Sequence, residues 1–328
     1  MRSAKNANDE ALLMYANIAM GNAAFDKAEF TLAQKHIEQA LALYDCERHH
    51  RLAPHYGGLD AGVWALGLAA FVLGRIGYPD RAIRRGNEML ALGRELGHPP
   101  SQAFAEACFA ILHWLRREPS QALQAGEVAI SLSGDQGIDT LVVATVMCGW
   151  AMGEQGRAEE GIIQIREGVS KLRTTGSHVN LPMCLSVLAE VCIKSHHLDD
   201  ALGALAEAEA ISAVNSDLRP SDNSDIQRLK GDLLLMLDGT RVAEAKNCFE
   251  LAIQKARIHG AKSFELRATT SIAGLLAKQG HRDKARTMLA EIYGWFTEGF
   301  DTADLKDAKA LLDELSTPAG SQSPESQS

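Results

Sequence analysis

The sequence predicts an all-α fold, a right-handed solenoid of about seven helix pairs with a capping helix at its C-terminal end. Three observations predict it. Hydrophobic residues make up 46% of the chain, and most of them are Ala and Leu. These residues lose little conformational entropy on entering a helix. Small residues recur at a period close to 40 residues, and turn-forming residues recur between them. Because stacked helix pairs bury a continuous core between neighbours, such a period is typical of a repeat array.

Each predicted unit has a small residue near the start of its second helix. The positions are Ala33, Ala82, Ala122, Gly161, Ala201, Ala245 and Ala285. A matching small residue lies upstream on the first helix, as Gly21 does in the first unit and Ala70 in the second. Small side chains let two helices approach closely, and this arrangement is the tetratricopeptide pattern. A large residue usually follows one helical turn later, but Gly86 and Gly126 depart from that rule.

Short segments rich in Gly, Pro and Asp separate the helices, as at residues 77–80 and 97–100. Residues 46–62 and 215–225 form stretches longer than the array needs, and both are predicted as loops. Residues 1–9 and the tail 317–328 lack an apolar period and are predicted to be disordered. The helical repeat domain is therefore expected to span residues 10–316.

The net charge of −9 arises from 33 basic and 42 acidic residues without a long block of either sign. This balance argues against nucleic acid or a membrane surface as the main partner. The basic pairs Arg84-Arg85 and Arg116-Arg117 are predicted to be solvated helix faces. Residues 61–74, an uncharged and strongly apolar stretch, are shorter than the roughly 17 residues that a membrane span requires. Six scattered cysteines are typical of reduced thiols, so we expect a cytoplasmic protein.

Several segments resemble the C-terminal tetratricopeptide region of large bacterial signalling proteins. In that family an adenylate/guanylate cyclase domain or a kinase domain is joined to an ATPase module and then to helical repeats. The matching segments are Leu43-Tyr44-Asp45 with His49 and residues 73–82, 96–99, 149–156, 261–267 and 292–315. The last of them, IYGWFTEGFDTADLKDAKALLDEL, is the most distinctive. The resemblance covers nearly all of residues 10–316.

The resemblance implies a scaffold or regulatory role in bacterial signal transduction. The cyclase, kinase and ATPase motifs of the family are absent from this chain, so their activities do not carry over. A cyclase or ATPase module is instead an expected partner, either attached or associated. Cys46 stands where the family usually has Pro, a departure that concerns the rigidity of one loop rather than the fold.

No catalytic, cofactor-binding or metal-binding constellation is predicted. Residues 156–161 have the glycine spacing of a phosphate-binding loop, but Ile162 follows where Lys is required. Residues 46–55 hold one Cys and three His, yet the second ligand pair of a zinc site is missing, so a polar loop is the better interpretation. A nucleophile with its base is not found either, because each Ser near a His lies in a turn. We therefore expect no enzyme activity and no cofactor.

The concave face is the remaining candidate site. In tetratricopeptide folds the first helix of each pair lines the groove, and this rule predicts a groove that is aromatic at one end and charged at the other. The predicted partner-binding residues are Trp64, Phe71, Phe104, Ile111, Trp114, Trp150, Met183, Glu190, Lys194 and Arg228. Aromatic anchors commonly supply most of the affinity for a peptide or helix, so Trp114 and Trp150 are the first to test.

Two interpretations of the aromatic stripe stay open. Apolar stripes on helices usually face a neighbouring helix, which makes these side chains ordinary core between repeats. Alternatively, they face the groove and bind a protein or peptide partner. For the function, the alternatives to a scaffold are a small-ligand sensor that controls an associated ATPase or cyclase, and a cryptic enzyme.

Overall fold

The computed structural model describes residues 9–55, 58–133, 139–176, 178–215 and 218–317. Within these residues the chain forms sixteen α-helices, one 3-10 helix and no strand. The segments predicted to be disordered lie outside the described residues, except for their inner ends, Asp9 and Thr317. The fold is the all-α repeat solenoid that the sequence predicts.

Seven helix pairs and a cap follow one another along the chain. The first three pairs are α1 (Glu10–Asp26) with α2 (Phe30–Leu43), α4 (Ala61–Ile76) with α5 (Pro79–Leu96), and α6 (Pro99–Arg116) with α7 (Pro119–Ser133). The next four are α8 (Asp139–Glu154) with α9 (Ala158–Thr175), α10 (Leu181–Lys194) with α11 (Leu198–Val214), α12 (Asn223–Leu237) with α13 (Val242–Ile258), and α14 (Lys262–Lys278) with α15 (Arg282–Tyr293). The cap is α16 (Ala303–Ser316). The segment predicted as a long loop after pair 1 also contains the short helix α3 (Cys46–His49) and the 3-10 helix His50–His55.

Local sequence signals set the helix ends. Asp60 begins α4, because its Oδ1 accepts hydrogen bonds from Gly62 N at 2.9 Å and Val63 N at 3.1 Å. Pro79 occupies the first position of α5, where a missing N–H costs nothing. Gly77 ends α4 with a positive φ of 95°, a conformation that glycine adopts without steric cost. These signals explain the short antiparallel hairpins.

Small residues bring the two helices of a pair together. A Cβ added at Gly149 in α8 would lie 2.6 Å from the Gly161 carbonyl oxygen in α9, so the two backbones are almost in contact. Gly86 stands where the repeat pattern calls for a large side chain. A Cβ there would lie 2.7 Å from Leu112 Cδ1, because the next unit supplies the large side chain instead.

Buried apolar side chains form two main clusters. The larger cluster runs from Met14 in α1 to Phe264 at the start of α14. The second belongs to the C-terminal units and includes Phe249, Leu289 and Leu305. The C-terminal units therefore have a core largely of their own.

The solenoid curls until its C-terminal units meet its N-terminal units. First helices of successive pairs lie against each other and form the inner side of the curve. Ser263 in α14 donates a hydrogen bond from Oγ to Gly74 O in α4 at 2.6 Å. Arg219, before α12, places Nε 3.0 Å from Asp26 Oδ1 at the end of α1. We call this contact between distant units the seam.

None of the helices in the described part of the chain combines the length and the apolar character needed to cross a membrane.

Candidate functional site

A group of charged side chains lies on the inner helices close to the seam. We call it the inner cluster, and its members are Arg117, Glu190, Lys194, Arg228, Asp232, Arg267 and Asp304. They come from the end of α6, from α10, α12 and α14, and from the cap. Because the first helix of each unit lines the inner side, successive units contribute to one surface. The structure thus brings together Glu190, Lys194 and Arg228, the three charged residues among the predicted site residues.

Glu190 lies at the centre of the inner cluster. Lys194 Nζ is 3.1 Å from Glu190 Oε1 and also contacts Glu154, while Arg117 Nη2 lies 3.8 Å from Glu190 Oε1. Burial alone would raise the pKa of Glu190, but the positive charges of Lys194, Arg117, Arg228 and Arg267 outweigh it and lower the pKa to about 2. Glu190 is therefore a carboxylate at every physiological pH.

Arg228 bridges two carboxylates of its own helix. Its Nε is 2.7 Å from Asp225 Oδ1 and its Nη1 is 2.9 Å from Asp232 Oδ2. Burial would lower the pKa of Arg228, but Asp225 and Asp232 raise it. Burial raises the pKa of Asp232 in spite of Arg228. The arrangement fixes the guanidinium in place, because two of its nitrogens are held from opposite sides.

Arg267 connects the inner cluster to the seam. Its Nε lies 2.6 Å from Asp304 Oδ2 of the cap, and its Nη2 donates to Leu115 O at 2.7 Å. The guanidinium carbon lies 6.0 Å from the ring centroid of Trp114, within reach of a cation–π interaction. Trp114 is thus the predicted aromatic residue that directly adjoins the charged group.

Arg117 and Asp304 belong to the inner cluster although neither was among the predicted site residues. Arg117 ends α6 in the left-handed region, with φ of 59°, which is uncommon for a residue other than glycine. This backbone turn aims the guanidinium at Glu190 and at Asp304, whose Oδ1 lies 3.7 Å from Arg117 Nη1. The signal in the sequence was Arg117 at a helix C-terminus, a position that favours αL.

The prediction that Arg116-Arg117 is a solvated helix face is wrong for Arg116. This side chain is buried and lies between three carboxylates. Its Nε is 2.9 Å from Glu118 Oε1, its Nη1 is 3.3 Å from Asp80 Oδ1, and its Nη2 is 3.3 Å from Asp301 Oδ2. Folding of the seam over the end of α6 removes Arg116 from water.

The aromatic half of the predicted groove packs mostly in the core. Trp114 and Trp150 are only 3% and 1% exposed. The other buried members are Phe104, Ile111 and Met183, and the half-buried members are Trp64 and Phe71. In this conformation a partner could reach Trp114 or Trp150 only if the surrounding helices moved. Their role as partner anchors stays a prediction.

A cleft of about 750 Å³ crosses the seam, and none of the inner-cluster residues is among the residues that line it. Ile76 and Tyr78 of pair 2 line one wall, and Ile258, Lys262 and Trp295 line the other. The rings of Tyr78 and Trp295 lie 5.4 Å apart between centroids. The walls come from opposite ends of the chain, so the cleft exists only while the seam is closed.

A serine, a histidine and a glutamate come together at the turn after α10. Ser195 Oγ lies 3.0 Å from His197 Nδ1, and His197 Nε2 lies 3.2 Å from Glu159 Oε1. The Ser195 hydroxyl also donates to Val191 O at 2.8 Å. Because that hydrogen is directed at a carbonyl, it is not directed at the imidazole. The contacts stabilise a turn and do not activate a nucleophile.

The histidines before α4 make separate contacts. His49 Nδ1 accepts a hydrogen bond from Asp45 N at 2.9 Å, whereas His50 Nδ1 lies 3.5 Å from Asp60 Oδ2. Over the ranges that the structure describes, no three His, Cys, Asp or Glu side chains are grouped so that they could hold a metal ion.

No protein-family model matches the chain. An uncharacterized protein of Rhizobium meliloti (strain 1021) is 24% identical over 206 residues, which make up 62% of this chain and 20% of that protein. The matched region therefore spans about a fifth of the length of the curated relative.

Several solved structures share the architecture. A Rap protein complexed with Competence and Sporulation Factor has a TM-score of 0.63 at 14% identity, over 93% of this chain and 77% of that chain. The apo form of RapI has a TM-score of 0.55 at 14% identity, over 92% of this chain and 99% of that chain. Aspartyl phosphate phosphatase F from Bacillus subtilis has a TM-score of 0.54 at 13% identity, over 92% of this chain and 74% of that chain. At these identities the likeness establishes the fold alone: the chain is an all-α, tetratricopeptide-like repeat solenoid.

Proposed function

We propose that the chain is a protein-interaction scaffold and that its inner cluster holds a protein or peptide partner. One observation carries the proposal: charged side chains from successive units converge on one inner surface, where exposed Lys194 lies beside buried Glu190. The core of a solenoid does not need such charges, because removing ionic groups from water costs free energy that apolar packing avoids. Charges in fixed positions suit recognition, since electrostatic complementarity sets the register and the specificity of a partner.

A signalling context belongs to the proposal. It is supported by the resemblance of residues 292–315 to the repeat regions of cyclase-linked and kinase-linked proteins. It is also supported by a similar fold in a Rap protein complexed with Competence and Sporulation Factor. We infer that the partner is a cyclase or ATPase module in the bacterial cytoplasm, and that partner binding biases its activity.

In this proposal the chain itself performs no catalysis. The fold does not decide this point, because one protein of similar structure is named a phosphatase. Assays of nucleotide hydrolysis, nucleotide cyclisation and aspartyl phosphate hydrolysis with the purified chain test it directly. Turnover in any of them would contradict a pure scaffold.

The partner role is tested with two lysine variants that differ in position. Lys194→Glu reverses a charge in the inner cluster, and Lys171→Glu reverses an exposed charge on α9 that pairs with Glu167 one turn away. A partner captured by the wild-type chain and by Lys171→Glu should be lost with Lys194→Glu. With that partner purified, we expect Lys194→Glu to weaken the Kd by about tenfold or more. Equal binding by both variants would contradict the inner cluster as the partner site.

The seam cleft favours a second candidate function, a small-ligand sensor. Its volume of about 750 Å³ and its aromatic walls, Tyr78 and Trp295, are typical of clefts that hold a metabolite. A metabolite that binds there should raise the Tm of the wild-type chain and leave the Tm of Trp295→Ala unchanged. If no compound in a metabolite collection raises the Tm of the wild-type chain without raising the Tm of Trp295→Ala, the cleft is not a sensor site.

A further inference from the structure

Three arginines meet where the end of α6 packs against α14, and each binds a carboxylate from the end of the chain. Arg116 Nη2 lies 3.3 Å from Asp301 Oδ2. Arg117 Nη1 lies 3.7 Å from Asp304 Oδ1, and Arg267 Nε lies 2.6 Å from Asp304 Oδ2. We call Arg116, Arg117 and Arg267 the arginine trio. The trio already accommodates acidic side chains, so its charge and geometry are complementary to an acidic segment.

The two aspartates belong to one short segment, residues 295–304, which we call the closing segment. Glu298 of this segment accepts hydrogen bonds from Asp80 N and Arg81 N at the start of α5, at 3.0 and 2.9 Å. Gly299 N in turn donates to Asp80 Oδ2 at 3.0 Å. The closing segment therefore holds pairs 2 and 3 through acidic groups at three successive points.

Part of the closing segment is exposed to solvent. Asp301 is mostly exposed, with 71% of its side chain in contact with solvent. A cavity of about 30 Å³ remains under the segment, between Leu112, Leu115 and Phe296. The C-terminal units also have a core cluster of their own. Withdrawal of the closing segment would remove Phe296 from that cluster and leave its other members, such as Phe249 and Leu289, and the larger cluster in place.

We propose that the arginine trio is a docking site for an acidic segment of a protein partner, and that Asp301 and Asp304 occupy it in the absence of that partner. The partner binds by displacing the closing segment. Exchange of one acidic segment for another keeps Arg267 paired with a carboxylate, whereas simple opening would take Asp304 away from it. Arg116 and Arg117 also have carboxylate partners outside the closing segment. The closing segment thus competes with the partner for the arginine trio. A partner binds only if its affinity is high enough to displace the closing segment. This inference rests on the proposed function, because Arg117 and Arg267 also belong to the inner cluster.

A synthetic peptide of residues 295–309, WFTEGFDTADLKDAK, is the probe. Its binding to the full chain is measured by fluorescence anisotropy. A second peptide with Glu298→Gln, Asp301→Asn and Asp304→Asn lacks these three carboxylates and is the amide control. The chain is used as wild type, as Asp301→Asn/Asp304→Asn, and as Asp307→Asn/Asp313→Asn, which removes the same charge from exposed positions of α16.

Weakening the internal competitor should increase the fraction of chains whose trio is accessible. We expect Asp301→Asn/Asp304→Asn to bind the acidic peptide about tenfold more tightly than wild type, because the apparent affinity scales with that fraction. The Asp307→Asn/Asp313→Asn chain should bind as wild type does, and the amide control peptide should bind about tenfold more weakly to every chain. Equal affinity of the two peptides, or no gain in the Asp301→Asn/Asp304→Asn chain, would overturn the proposal.

Hydrogen exchange in the wild-type chain gives a readout that does not depend on how a variant folds. The amides of Asp80 and Arg81 are covered by Glu298, so displacement of the closing segment by bound peptide should speed their exchange. Unchanged exchange with peptide bound would show that the peptide binds elsewhere. If the peptide has no effect but Lys194→Glu loses the partner, this inference alone is wrong. If the peptide speeds exchange but Lys194→Glu still binds the partner, the proposed function alone is wrong.

Discussion

Glu298 completes the first turn of α5 from a position 217 residues away from Arg81 along the chain. Its Oε1 accepts from the Arg81 N–H at 2.9 Å, and its Oε2 accepts from Arg81 Nε at 3.0 Å. Tyr78, the residue that precedes the helix, makes no capping hydrogen bond from its side chain. A contact made only after the whole array has curled therefore supplies to α5 what Asp60 supplies to α4 from the preceding position.

Replacing Glu298 by Ala should destabilise the seam more than the rest of the array. We expect the unfolding free energy to fall by about 1–2 kcal/mol, the usual effect of removing a helix cap. Exchange of the Asp80 and Arg81 amides should become faster, which hydrogen–deuterium exchange with fragment-resolved mass spectrometry measures. Glu291→Ala, at an exposed position on α15, is the control. Slow exchange at both amides in Glu298→Ala would mean that the cap is not needed.

The helix pairs themselves were predictable because their causes are local. Pro79 after Tyr78 begins a helix, and Gly77 ends one, whatever the distant residues are. Small residues such as Gly149 and Gly161 recur at the repeat period because the two helices of each pair pack closely at the same positions. Such features are visible in any window of about 40 residues, the length of one repeat.

The seam was not predictable in the same way. Arg117 contacts Asp304 only because each repeat is rotated slightly relative to the previous one, and these rotations add up over several units. No single residue in the sequence indicates the total rotation. The sequence places Glu190 and Lys194 one turn apart on one helix and Arg228 about one repeat later, and the structure has all three in the inner cluster. Their role as a partner site stays a prediction. Asp304 was not among the predicted site residues, yet Arg267 and Arg117 contact it.

The buried pair Arg75–Asp222 joins pair 2 to the start of pair 6. Arg75 is 2% exposed, and its Nε lies 3.4 Å from Asp222 Oδ1. We expect Arg75→Met and Asp222→Leu to lower the unfolding free energy by about 3–5 kcal/mol each, because each leaves a buried charge without its partner. The double variant should lie within about 1 kcal/mol of wild type, since apolar groups of similar volume replace the pair.

Urea unfolding of the four proteins gives the coupling energy of this pair. A double variant as unstable as the sum of the two single variants would show that Arg75 and Asp222 act independently. The Arg75 guanidinium also lies 4.8 Å from the Phe25 ring centroid, so some loss in Arg75→Met alone comes from that contact.

The close approach of α8 and α9 predicts opposite effects for two glycine substitutions. A Cβ at Gly161 would meet the Gly149 carbonyl oxygen, so Gly161→Ala should separate the helices and lower the unfolding free energy by about 1–3 kcal/mol. Gly203 on α11 has nothing within 4 Å of an added Cβ. Gly203→Ala should instead stabilise by about 0.5–1 kcal/mol, because alanine loses less backbone entropy in a helix. Circular dichroism at increasing temperature gives the Tm of both variants. A Tm change of the same sign in both would contradict the packing argument.

Glu190 should make the stability of the chain depend on pH in an acidic window. Its pKa is lowered from 4.5 to about 2 in the folded chain, a difference that corresponds to about 3 kcal/mol. The stabilisation is fully present above pH 4.5 and is lost as the pH falls towards 2, because the unfolded chain then takes up the proton first. Glu190→Gln lacks this contribution, so its stability deficit relative to wild type should shrink between pH 4.5 and pH 2. Glu291→Gln removes a charge from an exposed position and should follow the wild-type curve. Urea unfolding measures the free energy of unfolding of the three proteins across this window. A constant difference between wild type and Glu190→Gln would mean that the pKa of Glu190 is not lowered by its neighbours Lys194, Arg117, Arg228 and Arg267.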